Sequence, residues 1–308
     1  MLEIESGHMI KEEVAVLEDI TTSKSINIAV VMPFVGVDMD MTMKTIKDVL
    51  TKDEGVTKFI AVANGCTENQ FRELFNYVHI DFFDKVNVIY HQENKGISVA
   101  WNEGIRDIRN FNQFQIDQDG IRKESFIDVI AIVNDDIFLQ KNCLTRCAEY
   151  MKVSDLFVVS PTVLDQNSHD VFKNIEHESD HVYSHEDLNG MIGSCFLIDV
   201  DQLNKFEPKS HDVFDETYFC MWEDCDFVYR ATQWRSKCVK ISGSCVHYHL
   251  GTKTIEKIKN RSDHYQNGMK RFIEKHNVPP FSSFNVHNSI AYFYNDKKEE
   301  IFKSYIEE

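Results

Sequence analysis

The sequence predicts an α/β fold built from parallel βαβ units. Three observations carry that prediction. Residues 26–32 (INIAVVM), 58–63 (KFIAVA), 86–90 (VNVIY) and 126–133 are short runs rich in β-branched and apolar residues, the signature of strands. Segments with helical spacing separate the early runs. The runs also lack polar–apolar alternation, as expected of strands covered on both faces.

Taken in order, residues 1–24 are polar and weakly periodic and read as an N-terminal extension, in which Gly7-His8-Met9 has the look of a vector-derived junction. The first strand is expected to stop at Pro33, which has no N–H to donate. Residues 41–50 have helical spacing, and Asn64-Gly65 ends the second strand. Residues 68–77 are helical. Over residues 96–108, Ile97, Ala100, Trp101, Gly104, Ile105 and Ile108 form one apolar stripe. The fourth strand runs directly into Asn134-Asp135-Asp136. Residues 156–159, 194–198 and 238–246 read as further strands, and a helix is expected to begin near Glu223. The His-rich stretch 165–189 between two of them reads as a surface loop or lid. Residues 253–276 are polar and helical, and Pro279-Pro280 separates them from an aromatic tail. In sheets of this kind ligands bind beyond the carboxyl ends of the strands, which directs attention to Pro33, Asn64-Gly65 and Asn134–Asp136.

The bulk composition bounds the function. The 308 residues are 43% hydrophobic and 27% charged, a globular balance. No apolar run reaches the roughly 20 residues needed to span a bilayer, and the N-terminus carries no secretory pattern. A cytoplasmic protein is expected, with at most peripheral membrane association. The eight cysteines form no C-x-x-C pair and sit mostly in apolar runs, so buried reduced thiols are expected rather than zinc or redox chemistry. A formal net charge of −17 disfavours nonspecific binding to a phosphate backbone.

Three clusters could carry chemistry. Asn134-Asp135-Asp136 follows a buried strand, where hard oxygens suit Mg²⁺ or Mn²⁺, although Asn and Asp also favour turns and helix caps. Asp215, Glu216, Glu223, Asp224 and Asp226 place five carboxylates within 12 residues among aromatic rings. Burial beside Trp222 would raise a carboxyl toward general-base use, and acids at a helix start also complement its dipole. His247 and His249 follow a strand. One of the two is expected to face the site.

The order of these pieces resembles the GT-A-fold, family 2-like nucleotide-sugar glycosyltransferases from about Ile26 to Thr252. The pieces are the strand ending at Pro33, Ala63-Asn64-Gly65-Cys66-Thr67, and Asn94 with Gly96, Ala100, Asn102 and Gly104. They continue with Asn134-Asp135-Asp136, Gly193–Ile198, Phe214-Asp215-Glu216 through Glu223-Asp224-Cys225-Asp226 with Arg230, and a histidine before Gly251-Thr252. The resemblance implies a Rossmann-like mixed sheet flanked by helices over residues 25–252, with a C-terminal helical segment and tail over 253–308. It implies a UDP-sugar donor bound near Pro33, Asn64, Asn94, Gly96, Asn102, Asn134 and Asp135. Mn²⁺ or Mg²⁺ would be held by Asp136 with His247 or His249, and Asp224 would be the base, with Glu223 the second choice. Two departures stand out. Ala63 replaces an acid that reads the nucleobase, and Asn134 replaces the first Asp of the metal triplet.

The main expectation is therefore an inverting, metal-dependent sugar transfer to a hydroxyl of a glycan or lipid-linked acceptor. Alternatives are transfer to a modified DNA base, which the net acidity opposes, and a non-catalytic sugar- or nucleotide-binding module, which would have no use for Asp224. A nucleotidyltransferase would show a Gly-rich phosphate loop, and residues 31–40 offer only Gly36.

Overall fold

The computed structural model describes residues 25–164, 188–189, 191–207, 212–235, 238–249, 260–280, 283–287, 290–295 and 297–305. The chain alternates β1 (Ile28–Phe34), α1 (Met39–Lys52), β2 (Val56–Asn64), α2 (Glu68–Asp81), β3 (Val86–His91), α3 (Ile97–Phe114) and β4 (Val129–Val133). It continues through β5 (Ile137–Leu139), α4 (Cys143–Val153), β6 (Val158–Leu164), β7 (Leu188–Asn189), β8 (Cys195–Asp199) and α5 (Val200–Phe206). Then follow α6 (Glu223–Trp234), β9 (Val239–His249), α7 (Arg261–His276), β10 (Ser283–His287), β11 (Ile290–Tyr294) and β12 (Glu300–Tyr305).

The main sheet has the order β3-β2-β1-β4-β8-β6-β9-β5, with β7 paired to β9. β1 to β4 are parallel, as the alternating pattern predicts. Beyond β4 the sheet is mixed, because β8 runs antiparallel to both β4 and β6. The strand period of two sorts side chains to opposite faces. Ala29 and Val31 of β1 join Ile130 and Ile132 of β4 under α3 and α6, through Trp101, Ile105 and Phe227. Ile28, Val30 and Met32 join Val129, Ala131 and Val133 under α1 and α4, through Ile46, Val49, Leu144 and Met151. Each Val, Leu, Ile, Phe or Met side chain among them contributes roughly 1.5–3 kcal/mol on burial.

Several expectations are corrected. β1 runs through Pro33 to Phe34. Its pairing with β4 covers only Ile28–Val31, while Pro33 lies opposite Val62 of β2. A residue without N–H is tolerated where one side of the strand has left the ladder. The C-terminal segment is not only helical: β10, β11 and β12 form a separate antiparallel sheet. Pro279-Pro280 ends the helical pattern, and the alternating, aromatic-rich runs after it favour strands. Phe293 of β11 is fully buried and meets the Tyr229 ring of α6 at 6.1 Å. The expected loop at 165–189 lies outside the described residues except for β7, as do Gly251-Thr252 and the extension 1–24. No helix among the described residues is long and apolar enough to cross a membrane.

Six cysteines, Cys66, Cys143, Cys147, Cys195, Cys238 and Cys245, are buried in the two cores. Burial pushes the Cys66 and Cys238 thiols up to about 12. Gly104 sets how closely α3 lies on the sheet, since a Cβ there would fall 2.3 Å from Val31 Cγ1. Replacing it by Val forces the two elements apart. Gly104→Val is expected to lower stability by about 2 kcal/mol or more, read as a shift in the denaturant midpoint.

Candidate active site

β1 leads outward to β2, whereas its other neighbour is β4. The strand order therefore reverses between β1 and β4, and in open α/β sheets a crevice forms at that point. A cavity of about 750 Å³ lies there, walled by the ends of β1 and β4, the start of α6 and the end of β9. That size suits a small-molecule ligand.

At one side are Asn134, Asp135 and Asp136, all lining the cavity. The Asn134 N–H is fixed by donating to the Ser194 carbonyl at 2.9 Å. Asp135 Oδ2 accepts from Thr42 Oγ1 at 3.2 Å. Burial first, and the charge of Asp136 second, push the Asp135 carboxyl up to about 7. His249 Nε2 stands 3.2 Å from Asp136 Oδ1 and also lines the cavity. His247, two residues earlier on the same face of β9, is fully buried deeper along the strand, with Nε2 2.9 Å from Ser194 Oγ. Burial holds His247 down to about 3, so it stays neutral. The two share a face of the strand, and position along it rather than alternation gives them different surroundings, since His249 is the last residue of β9.

Among the described residues no three His, Cys, Asp or Glu side chains are preassembled as a metal cage. Asp136 and His249 offer one oxygen and one nitrogen. Mg²⁺ and Mn²⁺ sites of this type take their remaining ligands from substrate phosphates and water. The donor set fits such a cation.

Glu223 and Asp224 open α6 and line the same cavity as Asp136. They are delivered by a strained backbone: Met221 and Trp222 have φ of 68° and 74°. Left-handed backbone in a bulky non-glycine residue costs on the order of 1–3 kcal/mol, and such strain concentrates at functional sites. Asp224 lies directly over Gly193, where an added methyl would fall 2.4 Å from Oδ2. Asp224 Oδ1 accepts from the Cys225 N–H at 2.7 Å. Burial raises both carboxyls, and for Glu223 the neighbouring Asp224 charge adds to it. Glu223 is 8% exposed, and its Oε2 has no hydrogen-bond partner among the described residues.

The remaining predicted residues divide. Pro33, Asn64 and Asn94 line the cavity. The Asn64 amide is nonetheless committed to the protein: Nδ2 donates to Asn94 Oδ1 and to the Gly96 carbonyl, both at 3.0 Å, and Oδ1 accepts from the Lys95 N–H at 2.9 Å. Asn64 thus holds the 94–96 turn. Gly96 is the left-handed residue before α3, with φ 95° and no room for a Cβ against the Phe219 carbonyl. Asn102 lies away from the cavity wall. Its Oδ1 accepts from the Val213 and Phe214 N–H groups at 2.9 Å, and its Nδ2 donates to the Phe214 carbonyl at 2.8 Å.

The glycosyl transferase family 2 model matches residues 29–208, more than half of the chain. The chain belongs to this family. Among solved structures, this glycosyltransferase is similar to GalNAc-T7, determined with UDP, GalNAc and Mn²⁺, at TM-score 0.59 and 10% identity. That match covers 82% of this chain and 48% of the other. A mannosyltransferase from Pyrobaculum calidifontis, PcManGT, determined with GDP-Man and Mn²⁺, matches at TM-score 0.47 and 9% identity, over 77% of this chain and 63% of the other. The chain thus spans less than two thirds of each. No curated protein matches the sequence. The GT-A architecture is shared with GalNAc-T7.

The family match ends before α6, β9 and α7, yet all three wall the cavity of this transferase. Arg261 and Tyr265 of α7 complete the wall. Sequence reading missed both, because the polar 253–276 segment carries no local sign of which turn faces inward. Three of the five clustered acids are likewise engaged elsewhere. Asp215 accepts from Arg271 and Lys275, each at 2.9 Å. Burial would raise it, but Thr217, Lys275 and Arg271 hold it below the ordinary carboxylate range. Glu216 Oε1 accepts from Asn102 Nδ2 at 3.1 Å. Asp226 is fully buried and accepts from Arg230 at 2.8 Å, His276 at 2.8 Å and Lys275 at 2.7 Å. Burial alone would raise Asp226, yet these partners hold it at about 2, against an ordinary 3.8.

A depressed carboxyl stabilises the fold above its unfolded value, and that stabilisation is lost as pH falls through the folded value. For Asp226 it is on the order of 2 kcal/mol. The unfolding free-energy gap between wild type and Asp226→Asn is expected to shrink as pH falls from about 4 to about 2. Denaturant titrations across that range measure it.

Proposed function

We propose that this glycosyltransferase moves a sugar from a nucleoside diphosphate donor to a hydroxyl acceptor in one displacement, with Asp224 as general base and with Asp136 and His249 as the protein ligands of Mn²⁺ or Mg²⁺. One observation carries the reading: Asp136, His249 and Glu223–Asp224, far apart in sequence, line a single cavity at the carboxyl ends of β1 and β4.

In this reading the acceptor hydroxyl lies against Asp224. As the carboxylate takes its proton, the oxygen attacks the anomeric carbon, and the bond from that carbon to the diphosphate breaks with its electron pair leaving on phosphate. A single displacement inverts the anomeric centre. Asp136 and His249 would hold a divalent cation there, which would supply positive charge against the diphosphate as it leaves. Arg261 supports the same task, since the guanidinium brings positive charge to a cavity lined by Asp135, Asp136, Glu223 and Asp224. The raised Asp224 carboxyl suits proton abstraction near neutrality. Asn64 and Gly96 shape the turn that presents Asn94, so base recognition falls to Asn94 and the β1 end rather than to the Asn64 amide. UDP is the first donor nucleotide to test, since GalNAc-T7, which shares the fold, was determined with UDP. A glycan or lipid-linked sugar is the favoured acceptor, and the net charge of −17 opposes DNA.

A screen of nucleotide sugars with and without Mn²⁺ identifies the donor. With that donor, Asp224→Asn is expected to lower transfer by at least about 10²-fold, while donor affinity stays within about twofold. Retained transfer removes Asp224 from the base role. Asp136→Ala and His249→Ala are each expected to weaken Mn²⁺-dependent nucleotide binding by about tenfold or more. Calorimetry with the nucleoside diphosphate reads this, and unchanged affinity refutes the metal assignment.

A further inference from the structure

We propose that α7 is a brace that positions the catalytic base, with His276 and Gly268 as positioning residues that act on Asp224 through Asp226 and Trp222. The inference rests on the base role of Asp224 proposed above.

Asp224 lies between two anchors in the first turn of α6, and α7 holds both. The first is Trp222. Its ring meets Tyr265 and Phe272 of α7, each at a centroid distance of 5.5 Å. Gly268 is what lets the helix come so near: a Cβ there would fall 2.8 Å from Trp222 Cδ1 and 3.2 Å from the Met221 carbonyl. Met221 and Trp222 are the two left-handed residues that turn the chain into Glu223. A pair of non-glycine residues in that conformation persists only where the surroundings dictate it, and α7 is packed on both. The second anchor is Asp226, one turn of helix beyond Trp222. Its Oδ1 accepts from His276 Nε2 at 2.8 Å and Lys275 Nζ at 2.7 Å, both on α7, while Oδ2 accepts from Arg230 Nε at 2.8 Å. Arg271 and Lys275 tie the same helix to Asp215.

The carboxylate of Asp224 itself accepts from the N–H of the next residue, Cys225, and rests against Gly193. Its location in the cavity therefore follows that of the backbone from 222 to 226. A small displacement of a reacting group costs rate out of proportion to its effect on binding. The brace lies outside residues 29–208, so it is a property of this chain's C-terminal part rather than of the matched family segment.

The test uses the full chain with the donor and acceptor found by screening. Gly268→Ala drives a methyl into Trp222, and His276→Ala removes one donor to Asp226. Both are expected to lower kcat at least tenfold while KM for the donor and the affinity for UDP with Mn²⁺ (GDP if the screen so dictates) stay within about twofold. His276→Gln keeps a donor amide and is expected to recover activity to within about threefold of wild type. Peptide-resolved alkylation by iodoacetamide gives a readout without turnover: Cys225, beside Asp224, is expected to react faster in both weakening variants. If Asp224→Asn abolishes transfer but Gly268→Ala and His276→Ala keep wild-type kcat and Cys225 reactivity, the brace is refuted and the base survives. A kcat loss with parallel loss of nucleotide affinity, or without rescue by Gln, also refutes it, as it marks general unfolding. If Asp224→Asn transfers normally, both proposals fall together.

Discussion

Negative charge gathered in a half-dry space is the constraint on which the rest of this structure depends. Asp135, Asp136, Glu223 and Asp224 line one cavity, and among the described residues none of them forms an ion pair with a lysine or arginine. Burial accordingly raises Asp135, Glu223 and Asp224. An arrangement of this kind is costly for the protein alone. It becomes favourable once a cation and the ligand it holds share the space, which is why the cavity reads as a site rather than as a packing defect. Asp215 and Asp226, a few residues away, show the opposite solution. Both are matched by cationic groups of α7 and held low.

The sheet makes this concentration of charge achievable. β1 and β4 are parallel neighbours and deliver Pro33 and Asn134–Asp136 to the same end of the sheet. The antiparallel β8 brings Gly193-Ser194 in from the opposite direction, beside β4. Gly193 leaves room for Asp224, and Ser194 holds both the Asn134 N–H and the His247 ring. The part of the sheet that departs from a simple parallel pattern is therefore the part that joins the Asp136 side of the cavity to the Asp224 side.

Much of this was legible in the chain alone. The apolar runs and the polar residues at their ends located the strands and the edge of the sheet where the cavity lies, because strand burial and strand termination are local properties of composition. The ordered motifs, from Asn94 to Asp224, identified the family because spacing along the chain survives where overall identity does not. Other features were not legible. The strands of residues 283–305 were read as a tail, since their pairing is decided by one another and by contact with Tyr229 rather than by local propensity.

The sequence by itself determined the α/β class, the end of the sheet that carries the polar residues, and the set of carboxylates and histidines from which a site could be built. Only the tertiary structure decided which members of that set share the cavity. His249 rather than His247 faces Asp136, because the last residue of β9 reaches the cavity while His247, further back along the same face of the strand, packs on Ser194. Among the described residues Glu223 and Asp224 rather than Asp215 and Asp226 stay unmatched, because α7 brings Lys275 to Asp215 and His276 to Asp226 from 60 and 50 residues further along the chain. Charge pairing depends on distance in space, and the one-dimensional order of residues does not contain it.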